Sequence, residues 1–207
     1  MTTRKVTAII PIRSLDGAKS RLGAVLDAEE RHDLAARLAR QTIAAAVAST
    51  GLAETLVVTV DDAVRAIALE LGARPLRQRS EGLNHGLREA RDEAMAAGAE
   101  AILILPGDLP DVTAAALQPI LATLDDPVRP LVAIVADRHG RGTNALLVAP
   151  PDAIEFCFGG DSRAAHAAAA QAAGAALVEL GGPLGLDLDT PEDLLLAELA
   201  DPAFARG

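Results

Sequence analysis

Short apolar runs alternate with longer helix-patterned stretches almost from one end of the chain to the other, and no other feature of the sequence restricts its fold so strongly. "VTAIIPI" (Val6–Ile12), "TLVVTV" (Thr55–Val60), Ile102–Leu105, "LVAIVA" (Leu131–Ala136), "NALLVA" (Asn144–Ala149) and "AALVEL" (Ala175–Leu180) have the length and apolar content of strands, with "ARPL" (Ala73–Leu76) a shorter one. Helices are expected from about Asp27 to Ser49, Ala63 to Leu71, Leu83 to Gly98 and Thr113 to Leu124. Two more follow, one after "GGDS" and one from Thr190 or Pro191 to about Ala200. Asp27 and Glu30 stand at capping-box spacing, and Asp61 and Asp62 end a strand where they can cap the next helix. Strands separated by helices are joined by crossovers, so the pattern predicts a mostly parallel sheet with helices on both faces, an α/β fold. No repeat and no change of composition marks a linker, so residues 1–207 are expected to form a single domain.

Half the residues are apolar, yet there is no Trp or Tyr and only three Phe, so the core must be aliphatic. A net charge of −10 argues against nucleic acid or an anionic membrane as the main partner. A small anion needs only a few local cations and stays open. The single cysteine, Cys157, excludes an intrachain disulfide and a cysteine-rich zinc site. No apolar run approaches a membrane span and Met1–Ile10 lacks the pattern of a signal peptide, so a cytoplasmic protein is expected. No residue pattern speaks for or against a homodimer.

In such folds ligands sit outside the carboxyl ends of the strands, which directs attention to three loops. The first, "PIRSLDGAKSRL" (Pro11–Leu22), offers Arg13, Lys19 and Arg21 beside Gly17. Cations and free backbone amides suit a polyphosphate, and a solvated basic loop is the plain alternative. Only Lys5 and Lys19 of the 19 basic residues are lysine, which singles out Lys19. The loop is neither a Walker sequence nor a dinucleotide fingerprint, which disfavours an NAD-dependent dehydrogenase.

The second loop, "LPGDLPDV", places Asp108 at the mouth of a strand between Pro106 and Pro110. Its candidate companions are Asp187 and Asp189 in "GLDLDTPEDL", two residues apart and therefore on one side of an extended segment. Three carboxylates would suit Mg²⁺, a hard cation that prefers oxygen. The alternative is that Asp189 or Thr190 merely caps the last helix, with Pro191 in its first turn. The third region runs from Asp137 to Ala170. There Gly140 and Gly142 flank Arg141 ahead of Thr143, and Gly159-Gly160-Asp161-Ser162 opens a helix whose N-terminus suits an anion or is simply capped by Asp161 or Ser162. His32, His85, His139 and His166 read as surface or structural groups, although His166 shares a helix face with Ser162. Cys157 reads as an apolar filler, and no G-x-S-x-G elbow supports a hydrolase.

Taken together, "IIPIRSLDGAKSRL", "LILPGDLPDV", "GTNALLV", "FGGDSRAAH" and "GLDLDTPEDL" resemble the guanylyltransferases of deazaflavin coenzyme F-420 biosynthesis, which act on phosphoenolpyruvate or 2-phospho-L-lactate. The resemblance runs through essentially the whole chain. It implies a three-layer α/β/α, nucleotide-diphospho-sugar-transferase-like domain that binds GTP and Mg²⁺. By that resemblance Asp108, Asp187 and Asp189 match metal positions, and Thr143, Gly159 and Ser162 match positions for the acceptor phosphate. Lys19 and Arg21, with Arg13 nearby, fall where the triphosphate is expected, and Gly82, Leu83 and Asn84 fall beside the base. Lys19, Arg21 and Asp108 are the expected catalytic residues. The implied reaction moves GMP from GTP to the acceptor phosphate, with phosphoenolpyruvate favoured. The rivals are a transferase for a sugar phosphate or another nucleotide, and a noncatalytic nucleotide-binding module.

Overall fold

A computed structural model of the protein describes residues 4–201. Seven strands form one sheet in the order β3-β2-β1-β4-β6-β5-β7. They are β1 (Val6–Pro11), β2 (Glu54–Thr59), β3 (Arg74–Arg77), β4 (Ala101–Ile104), β5 (Leu131–Ala136), β6 (Thr143–Ala149) and β7 (Ala176–Leu180). The helices are α1 (Ala28–Val47), α2 (Asp62–Glu70), α3 (Leu83–Ala96), α4 (Gln118–Ala122), α5 (Ser162–Ala172) and α6 (Pro191–Ala200).

Successive strand residues point to opposite faces, and that alternation builds two separate cores. Ala8, Ile10, Val57, Leu103 and Leu147 face one layer, against Ile43 of α1 and Val64 and Ile67 of α2. Ile9, Leu56, Val58, Ile102, Ile104 and Leu146 face the other, against Leu87, Ala90 and Ala94 of α3 and Ala170 of α5. Both faces being covered explains why the strands read as continuous apolar runs rather than alternating ones. The three-layer α/β/α architecture expected from the sequence is the one observed.

Among the described residues four strand pairings are parallel, and β6 runs antiparallel to both neighbours, β4 and β5. The sheet is therefore mixed. The stretch of 137–142 between β5 and β6 is too short for a crossover helix, so the chain can only turn back. A second departure concerns the helix expected from Thr113 to Leu124. It is reduced to α4 and a 3₁₀ turn at Thr123–Asp125, with Pro119 in its first turn. Proline has no N–H to extend a helix backwards, so residues before Gln118 form turns instead. The capping box at the start of α1 forms as expected: Asp27 accepts from the Glu30 N–H at 2.9 Å, and Glu30 accepts from the Asp27 N–H at 2.7 Å. Among the described residues no helix is long and apolar enough to cross a membrane.

Candidate active site

The carboxyl ends of β1 and β4 lie side by side, and the loops that leave them form the floor of a cleft of about 680 Å³. The loop after β1 is held by a residue that sequence reading treated only as a helix cap. Asp61 caps α2 through the Ala63 N–H, and its other oxygen accepts from Ser14 Oγ at 2.8 Å and from the Leu15 N–H at 3.0 Å. Burial disfavours this carboxylate, but its donors outweigh burial and keep its pKa below the usual carboxylate value. Beyond Gly17 the chain turns through Lys19, the one non-glycine described residue with positive φ (55°). That left-handed conformation costs energy for a residue with a Cβ.

Lys19 reaches inward. Its ammonium is 2.7 Å from Asp108 Oδ2 and 3.1 Å from Asp189 Oδ1, and its side chain is only 7% exposed. Burial opposes the charge, yet Asp108 and then Asp189 more than offset it, so the Lys19 pKa is raised. Arg21 stands farther out, 3.4 Å from Asp189 Oδ2 and largely exposed. Asp187 completes the group: burial pushes its pKa up, the Asn144 side-chain amide at 3.3 Å partly compensates, and the charges of Asp108 and Asp189 push it up further.

Carboxylates from two distant parts of the sequence thus meet: Asp108 and Asp189 at the Lys19 ammonium, with Asp187 nearby. A backbone bond from the Leu188 N–H to the Asp108 carbonyl (3.1 Å) ties the two segments together. Thr190, not Asp189, caps α6, with Asp193 closing the box, and this leaves Asp189 free to face Lys19. Asp193 also accepts from the Asp189 N–H at 3.1 Å and so holds the residue in place. On the other side Gln41 of α1 donates to the Pro110 carbonyl at 2.6 Å and steadies the Asp108 loop.

Gly107 permits the close approach of the first and second loops. A Cβ there would stand 2.7 Å from Ile12 Cγ1. Gly107→Ala is expected to cost about 1–3 kcal/mol by overpacking, read as a lower denaturation midpoint at unchanged slope.

The acidic group suits a divalent cation on one point above all. Asp108 Oδ1 is buried and has no hydrogen-bond partner, an acceptor left for something not supplied by the protein. Among the described residues no three acidic, His or Cys side chains are already gathered as a metal cluster, and the space between Asp108 and Asp189 is taken by the Lys19 ammonium. Any cation would join Lys19 and Arg21 rather than replace them.

A second cleft of about 700 Å³ adjoins the first across Arg13 and Leu83 and is lined by Val58, Gln78, Ser80 and Gly82. Gly82 and Leu83 line this second cleft. The Asn84 side chain instead forms a two-way clamp with the backbone of Phe158, accepting from its N–H and donating to its carbonyl, both at 3.0 Å. Glu89, unremarked in the sequence, accepts from the N–H groups of Arg79 and Ser80 and shapes the rim of this cleft.

Thr143 and Ser162 are both buried, while Gly159 is exposed on the turn before α5. Asp161 does not cap α5; it pairs with Arg141 at 2.9 Å, so the amides of the helix start carry no side-chain cap from it. Thr143 connects to the acidic group through its neighbour Asn144, the donor to Asp187. His166 is buried and contacts Thr143 directly, a structural rather than a surface group. Its i+4 spacing from Ser162 was the only sequence signal. His32 is half-buried and pairs with Asp16, and the exposed His85 pairs with the Glu81 carbonyl.

The architecture is that of nucleotide-diphospho-sugar and nucleotidyl transferases. A Desulfovibrio desulfuricans G20 protein assigned as a nucleotide-diphospho-sugar transferase superposes with a TM-score of 0.78 at 17% identity, covering 99% of this chain and 91% of its own. A nucleotidyl transferase from Methanothermobacter superposes at 0.67 with 20% identity, covering 98% of each chain. Within that class the chain belongs to the guanylyl transferase CofC-like family, whose model matches residues 6–199. The phosphoenolpyruvate guanylyltransferase of Sphaerobacter thermophilus is 42% identical over 188 residues, 90% of this chain and 89% of the relative. That of Rubrobacter xylanophilus is 42% identical over 194 residues, 93% of each.

Proposed function

We propose that the protein moves GMP from GTP onto the phosphate of phosphoenolpyruvate and releases pyrophosphate, the step that its resemblance assigns to coenzyme F-420 biosynthesis. The observation that carries the reading is the buried Lys19 clasped by Asp108 and Asp189 on the floor of a cleft. The names of the relatives support guanine as the base and phosphoenolpyruvate as the acceptor.

An acceptor phosphate oxygen attacks the α-phosphorus of GTP. The new P–O bond forms as the bond to the β-phosphate oxygen breaks, and pyrophosphate leaves. The attacking oxygen is already anionic, so no strong general base is required. The work left to the protein is alignment and neutralisation of charge. Lys19 and Arg21 offset negative charge on the triphosphate and the departing pyrophosphate, with Arg13 at the junction of the two clefts. Gly82 and Leu83 line the space assigned to the base, and Asn84 acts on the acceptor side through Phe158. Thr143, Ser162 and the Gly159 amide hold the acceptor phosphate. Asp108, Asp187 and Asp189 would hold Mg²⁺, which supplies charge neutralisation at the phosphates. The proposed setting is the cytoplasm, and a homodimer is checked by light scattering.

Pyrophosphate release is the test, with GTP or ATP against phosphoenolpyruvate, 2-phospho-L-lactate and 3-phosphoglycerate. Release with GTP and phosphoenolpyruvate alone is expected. Release only with 2-phospho-L-lactate would keep the reaction and change the acceptor. Tight GTP binding with no release from any of them would leave a nucleotide-binding module.

A further inference from the structure

His166 lies on α5, fully buried, at the meeting point of three segments. Its Nε2 receives the Cys157 backbone N–H at 3.0 Å, and its Nδ1 is 3.1 Å from Thr143 Oγ1. The Phe158 ring packs edge-on against the imidazole, with centroids 4.7 Å apart and planes at 70°. Phe158 is itself held at its backbone by Asn84.

These contacts determine where the imidazole proton is. A backbone N–H can only donate, so Nε2 must offer its lone pair to Cys157. Burial lowers the His166 pKa to about 4, so the ring is neutral at pH 7 and carries one proton. That proton is therefore on Nδ1, and Nδ1–H donates to Thr143 Oγ1. A hydroxyl whose oxygen already receives a hydrogen bond keeps its own proton to give away.

We propose that His166 is a positioning residue for the acceptor: with its tautomer fixed by the Cys157 N–H at Nε2, it sets the Thr143 hydroxyl through Nδ1–H as a donor toward an anion. This rests on the assignment of Thr143 to the acceptor site. It gives the enzyme a second layer of control over a phosphate without placing a charged group near it. Asn84 extends the same arrangement to the start of α3, beside the cleft assigned to the base.

Steady-state kinetics on Thr143→Val, His166→Phe, His166→Asn and the T143V/H166F pair test it. H166F is expected to raise KM for phosphoenolpyruvate about tenfold, as for one lost hydrogen bond to a charged group, with KM for GTP within about twofold. Asparagine can still donate from near the Nδ1 position, so H166N should recover part of the loss. The double variant should be no worse than T143V, because His166 acts through Thr143. Additive losses would overturn the proposal, as would an unchanged phosphoenolpyruvate KM in H166F. If T143V itself leaves that KM unchanged, the acceptor assignment falls as well. Should H166F fail to fold, two-bond ¹H–¹⁵N correlations of the wild-type imidazole decide: the Nδ1–H tautomer is expected, and an Nε2–H tautomer overturns the proposal.

Discussion

Lys19→Met is expected to destabilise the protein by about 2 kcal/mol at pH 7, and Mg²⁺ is expected to restore most of that loss. Methionine keeps most of the aliphatic stem and removes the ammonium, leaving Asp108 and Asp189 without the cation between them and with Asp187 nearby. Removing one partner of a buried ion pair costs ~3–5 kcal/mol, and the partial exposure of Asp108 and Asp189 reduces that figure here. A divalent cation bound to the three carboxylates would supply the missing charge, and its stabilisation grows with concentration over Kd. Urea denaturation with and without Mg²⁺ checks both parts. Wild-type stability in the variant, or a denaturation midpoint indifferent to Mg²⁺, would refute the charge argument. The pH dependence has a definite sign. The folded-state pKa of Lys19 lies above its ordinary 10.5, so the stabilisation is fully present below that value and is lost as pH rises through the folded pKa. The variant should therefore lack an alkaline component of unfolding that the wild type shows.

Asp108→Asn is expected to lower kcat by on the order of 10³-fold, or ~4 kcal/mol of transition-state stabilisation, with the fold intact. The amide keeps the size of the side chain, and Lys19 keeps Asp189 as a partner. What is lost is one negative charge and the ligand quality of Oδ1, the buried acceptor without a partner. Because the change also removes repulsion on Asp187, the unfolding midpoint should move little. Pyrophosphate release measures the first effect and circular dichroism the second. Turnover at the wild-type rate with Mg²⁺ still required would show that Asp108 is not a metal ligand.

Much of the arrangement was legible residue by residue. The caps of α1 and α2 follow from side chains that reach amides two or three residues away. The strands follow from apolar runs with glycine, proline or aspartate at their ends. Asp108 stood out because a carboxylate between two prolines at the end of a buried strand has no local work to do. Other features gave no such signal. Asn84 reads as a cleft residue because it adjoins Gly82 and Leu83, but its partner, Phe158, is 74 residues away. Asp61 reads as a cap, and its second oxygen serves a loop 46 residues earlier.

The sequence by itself determined the α/β class, the helix starts and the short list of acidic and basic loop residues. Those follow from periodicity and from hydrogen bonds that close within one turn of chain. Only the tertiary structure decided which of those residues meet. Lys19 joins Asp108 across 89 positions and Asp189 across 170, because β1 and β4 are neighbours and the segment before α6 is bonded to the Asp108 loop. It also decided that Thr190 caps α6 so that Asp189 does not, and that His166 turns inward to Thr143. Pattern along a chain specifies what each segment can become; sheet order, set by burying both faces at once, specifies which charges share a site.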